Sequence, residues 1–145
     1  MTTVKDICNK YNIAYDIDME SYAENIIDIM NGHMNTTDNG ELLRWNGLYC
    51  YCVTRDYDTM KKYYLMAIEH GNSKAMANLG LYYDNVEDYD NMKKYYLMAI
   101  EYGNSDAMND LGKYYKTTEE YDMMKKYSLM AIEHDNSDAM NNLGT

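Results

Sequence analysis

Apolar positions along this chain recur in a helical rhythm, and the rhythm is itself repeated. Between Tyr89 and Glu101, the residues Met92, Tyr96, Ala99 and Ile100 fall at i, i+4, i+7 and i+8, one stripe on a 3.6-residue helix. Asp88 precedes the stripe as an N-cap, and Asp90 lies in the electropositive first turn. Gly103 supplies a stop, because glycine readily takes the left-handed conformation that ends a helix. The segment "NSDAM" then opens a second stripe, with Asn104 or Ser105 as its cap and Ala107, Met108, Leu111 and Tyr115 on one side. Two helices joined by so short a turn predict an antiparallel hairpin.

The hairpin is written more than once. "MKKYYLMAIEHGNSKAMANLG" begins at Met60, "MKKYYLMAIEYGNSDAMNDLG" at Met92 and "MKKYSLMAIEHDNSDAMNNLG" at Met124, a step of 32 residues that suits a solenoid array. Such a unit cannot bury its apolar face alone and stacks on its neighbours. Gly112 sits inside the second stripe, where glycine costs about 1 kcal/mol relative to alanine. The same cost recurs at Gly80. A close approach of the partner helix, with Tyr115 or Tyr83 packing beside the glycine, offsets it.

Upstream the copies degenerate. "LLRWNGLYCYCV" stands where "AMANLGLYY" stands later, with one residue inserted before Asp56. Residues 4 to 11, carrying Val4, Ile7, Cys8 and Tyr11, read as a helix. The following stretch places Tyr15, Met19, Tyr22, Ile26 and Ile27 on one face of a second. The resulting organisation is a single domain over 1–145. It comprises a capping hairpin at 1–38, repeats at 39–72, 73–104 and 105–136, and a partial terminal helix at 137–145.

"AIEHGNSKAMANLGLYY" and "AIEYGNSDAMNDLGKYY" resemble the Sel-one-like repeat, a relative of the tetratricopeptide repeat. The matching positions are Ala75, Leu79, Gly80, Tyr83, Tyr96 and Ala99, then Ala107, Leu111, Gly112, Tyr115, Tyr127 and Ala131. The short links "DNVED" and "KTTEE" depart from the Gly-rich connection usual in that family. The resemblance implies an all-α, right-handed α-solenoid of roughly four antiparallel hairpins plus a short terminal helix. It also implies a concave face, lined by the first helix of each hairpin, that binds a peptide or protein. Mapped from the Leu-Gly position, the outward residues are Lys74, Ala77, Leu81 and Asp84, then Asp106, Asn109, Lys113 and Lys116. Arg44 and Trp45 stand near the equivalent place one unit earlier, and Trp and Arg often carry binding energy. Trp45 fits a core position equally well.

Composition narrows the functional classes. The formal charge of −11 disfavours nucleic-acid backbones and anionic membranes and suits a basic protein or peptide partner. Proline and phenylalanine are absent, while tyrosine and methionine number 18 and 14. Lack of proline favours uninterrupted helices. The residue bias and short Sel-one-like units are also reminiscent of repeat proteins of giant DNA viruses, which for this chain would mean the host cytoplasm. The three cysteines, Cys8, Cys50 and Cys52, have no framework spacing and read as thiols of a reducing, intracellular compartment. No signal-peptide core or membrane-length apolar run is evident.

No constellation points to catalysis. His33, His70 and His134 sit at expected helix ends, and no serine lies in a nucleophile elbow. "YCYC" does not supply the four ligands of a structural zinc site. "DIDMES" and "DNVEDYDN" lack the turn glycine and terminal glutamate of a calcium loop. Lysine pairs at 61–62, 93–94 and 125–126 read as solvated faces, or as a basic stripe for an acidic partner. The expectation is a non-enzymatic interaction scaffold without cofactor or metal. The alternative is a structural protein that assembles with itself through an open C-terminal end.

Overall fold

The computed structural model describes residues 2–33 and 37–134. Among them the chain is helical, without a strand, and adjacent helices pack in pairs. Packing divides the chain into two compact units, Met1–Asn72 and Ser73–Thr145. The terminal partial helix expected at 137–145, on which self-assembly would rest, lies outside the described residues.

In the first unit, α1 spans Val4–Tyr11 and is held at its start by a capping box. Asp6 N–H donates to Thr3 Oγ1 at 3.2 Å, and Thr3 N–H donates to Asp6 Oδ2 at 2.9 Å. The following stripe is not one helix. Ile17–Tyr22 is a 3₁₀ helix, and α2 runs only from Ala23 to Met30. The tighter three-residue turn shifts the phase of the stripe. Met19, Ile26, Ile29 and Met30 are buried as a result, whereas the expected Ile27 is only half-buried.

Helix α3, Gly40–Tyr49, begins at Asn39, whose side chain accepts from the Glu41 and Leu42 amides. It continues into a π-helical turn, Cys50–Thr54. That turn is where the structure absorbs the inserted residue. The run from Gly47 to Asp56 is one residue longer than those from Gly80 to Asp88 and from Gly112 to Glu120. A π-bulge accommodates one extra residue without breaking the helix. Helix α4, Tyr57–Glu69, then starts at its Asp56 cap and packs along α3.

The second unit holds α5 (Ser73–Asn85), α6 (Tyr89–Glu101), α7 (Ser105–Thr117) and α8 (Tyr121–Glu133). Asp88 accepts from the Asn91 amide, and Asn104, not Ser105, caps α7 by accepting from the Ala107 amide. Helices α5 and α6 form one close pair and α7 and α8 another, with α6 also packed on α7. Ala75, Met76, Leu79, Met92, Tyr96, Ala99, Ala107, Met108, Leu111 and Ala131 are buried. Each fully buried Leu or Met contributes about 1.5–3 kcal/mol by leaving water.

Repeated tyrosines join the pairs. Tyr83 stacks on Tyr95 with centroids 5.7 Å apart, and Tyr115 stacks on Tyr127 at 5.8 Å. Tyr127 is therefore the counterpart of Tyr95, correcting its expected match to Tyr96. Ser128 stands in the place of Tyr96. The glycines meet that second position rather than Tyr83 or Tyr115: Gly80 faces the Tyr96 ring, and Gly112 faces Ser128.

Candidate binding face

The first helices of the two hairpins in the second unit, α5 and α7, present the residues expected to meet a partner. Leu81, Asp106 and Lys113 are exposed, and Lys74, Ala77, Asp84 and Lys116 are half-buried. Three expected members sit elsewhere. Trp45 is fully buried and Arg44 nearly so, with the Arg44 guanidinium 5.4 Å from the Trp45 ring centroid and Nε donating to Glu41. Asn109 is buried as well. A side chain without exposure offers no area to a partner, so these three leave the candidate face; Trp45 takes its core reading.

Sequence reasoning passed over Asp110. It lies on α7, half-buried, at the position where α5 carries Asn78. Its surroundings are built by three consecutive helices. Tyr96 reaches from α6 with its ring against Gly80 of α5, and its buried hydroxyl pairs with Asp110. Asp110 and Asp84 are the carboxylates that act on that hydroxyl. Burial, and then these two charges, push the Tyr96 phenol far above the ordinary tyrosine range.

The acids themselves are displaced. Burial pushes Asp110 up to about 6, Lys113 opposes the rise, and Asp106 and Asp84 add to it. Burial raises Asp84 too. Two carboxylates reluctant to ionise, one of them paired with the buried phenol, form a locally electronegative site. The Asn78-to-Asp110 difference between copies was the available signal.

The other singled-out groups disperse. His33, His70 and His134 are exposed, and His134 Nδ1 lies 2.9 Å from the Met130 carbonyl oxygen. None of Cys8, Cys50 and Cys52 forms a disulfide, and burial raises the thiols of Cys50 and Cys52. Among the described residues, no three His, Cys, Asp or Glu side chains gather as a metal-ligand set. The lysine pairs lean on tyrosines. Lys94 lies over Tyr95, Lys126 over Tyr127, and Lys93 crosses to Tyr114 at 5.0 Å. No described helix is long and apolar enough to cross a membrane. No known protein family and no curated protein matches the chain.

Proposed function

We propose that this chain is a non-catalytic interaction scaffold that binds a peptide or protein along the face of α5 and α7. Its hairpins stack as a right-handed α-solenoid of the Sel-one-like type, in a reducing intracellular compartment. One observation carries the reading: the buried apolar stripe of α5 recurs in α7, while outward positions between the two helices change. Ala75, Met76, Leu79 and Gly80 recur unchanged as Ala107, Met108, Leu111 and Gly112. On the outer side Lys74 becomes Asp106, Leu81 becomes Lys113 and Asp84 becomes Lys116. A scaffold keeps its packing and varies its recognition surface.

A peptide array tests this. Binders selected on the wild-type chain lose affinity for the Lys113→Glu, Lys116→Glu double variant, which alters exposed and half-buried charge without touching the buried stripe. Binding indifferent to that double charge reversal removes the α5/α7 face from the account.

A further inference from the structure

The packing of α7 on α6 is a template that α8 repeats uncovered. At the start of α6, Tyr89, Met92 and Lys93 stand at i, i+3 and i+4, so they share one face. Two adjacent tyrosines of α7 meet that face. The Tyr114 ring lies 5.2 Å from that of Tyr89, and Lys93 Nζ sits 5.0 Å from the Tyr114 centroid and 5.9 Å from that of Tyr115. The two α7 rings themselves meet edge to face at 5.2 Å. Met92 is fully buried and Lys93 half-buried.

In α8 the same three residue types recur as Tyr121, Met124 and Lys125. Tyr121 is 57% exposed against 40% for Tyr89, Met124 is only half-buried, and Lys125 is exposed. Among the described residues, no ring stacks on Tyr121 and none lies under Lys125.

We propose that Tyr121, Met124 and Lys125 form a docking socket for two adjacent aromatic side chains on a helix of a partner protein. Complementarity argues for that chemistry. An ammonium attracts the negative face of an aromatic ring, and the tyrosine and methionine beside it offer ring and sulfur contacts. Tyr114 and Tyr115 on α6 show that these residue types accept such a pair. The chain does not itself supply the occupant. Residues 135–145 contain no aromatic residue. In a second copy every adjacent tyrosine pair is already engaged: Tyr64 and Tyr96 are fully buried, Tyr83 is stacked on Tyr95 and Tyr115 on Tyr127. Two chains of charge −11 also repel each other. The socket goes beyond the α5/α7 reading, and its failure leaves that reading standing.

Amide-resolved NMR of the full chain tests the socket with a peptide of the α7 sequence, Ser105–Thr117. The peptide is held helical by a side-chain lactam, because so short a helix is marginal alone. A second peptide carries alanine at both tyrosine positions. The tyrosine peptide shifts the amides of Tyr121, Met124 and Lys125 and binds about tenfold more tightly than the alanine one. Lys125→Glu, on an exposed side chain, removes that preference, and Lys125→Arg retains it. Equal affinity of the two peptides overturns the socket, as does the absence of binding by either. Shifts centred instead on Tyr89, Met92 and Lys93 show exchange with the chain's own α7 and also overturn it. Shifts at Tyr121 and Lys125 that grow with chain concentration before any peptide is added assign the face to a second copy, against a partner protein.

Discussion

Gly80 and Tyr96 fit together as a gap and its occupant. A Cβ placed on Gly80 would lie 2.6 Å from Tyr96 Cδ1 and 2.7 Å from Cε1, distances that real Cβ atoms do not occupy. Gly47 and Tyr64 repeat the relationship, also at 2.6 Å. The glycine's cost to the helix is thus the condition for a tyrosine ring to come against the helix backbone. The ring's hydroxyl is carried onward to Asp110 by the same contact.

Gly80→Ala should destabilise the second unit by up to about 2 kcal/mol in urea unfolding. Overpacking of about 1–3 kcal/mol exceeds the roughly 1 kcal/mol gained in helix propensity. Gly112→Ala should cost less or stabilise, because its nearest neighbour is the Ser128 hydroxyl at 2.8 Å, which can rotate away. Combining Gly80→Ala with Tyr96→Ser, the residue type that faces Gly112 from α8, should be markedly less damaging than the sum of the two. Additive losses would mean that the ring does not set the constraint.

Deleting Val53, an exposed residue of the π turn, should restore the eight-residue spacing of the later copies. The expected product keeps its helical circular dichroism and unfolds at an unchanged or higher urea concentration. A loss of more than about 2 kcal/mol, the scale of a disrupted core, would show that the bulge is required rather than tolerated.

Glu87 and Glu119 hold left-handed backbone, with φ of 61° and 63°, at helix ends where Gly71 and Gly103 stand in the other links. In both glutamate links the bonding is of Schellman form: Asp88 N–H to Tyr83 O, and Glu120 N–H to Tyr115 O, each at 2.9 Å. Glu87→Gly and Glu119→Gly should each raise stability by about 1 kcal/mol, read as a higher unfolding midpoint. Destabilisation by either would indicate that the carboxylate, not the backbone, matters there.

Asp110 sets a pH dependence with a definite sign. Its carboxyl is raised from 3.8 to about 6 in the folded chain, so the unfolded state ionises first as pH rises. Asp110 thus favours the fold fully below about pH 4, and that contribution is lost progressively up to about pH 6. Asp110→Asn should melt higher than wild type at pH 7 and equally at pH 3.5, with Asp84, raised in the same direction, unchanged in both. A wild-type chain more stable than the variant at pH 7 would place a stabilising partner on the carboxylate.

Helices and caps were legible because they are written locally: Asp88 and Asn104 each accept a backbone N–H within three residues. The inserted residue before Asp56 was legible as a count, though not as a π turn. The 3₁₀ break at Ile17–Tyr22 was hidden, since its apolar spacing also fits an α-helix. Trp45 could not be resolved from sequence, because a buried tryptophan and a binding one both need an apolar helix face. Asp110 was missed because its neighbour set spans α5, α6 and α7. Only the hairpin packing brings Tyr96 to it.

The central claim is that peptide recognition lies on the face of α5 and α7 rather than at Leu97 and Leu129, which are also exposed, on α6 and α8. The direct measurement is amide-resolved NMR of the chain titrated with peptides selected for binding. The account predicts perturbations concentrated in Ser73–Asn85 and Ser105–Thr117, around Leu81, Asp84, Asp110 and Lys113. Perturbations concentrated instead around Leu97 and Leu129 in α6 and α8 would contradict it.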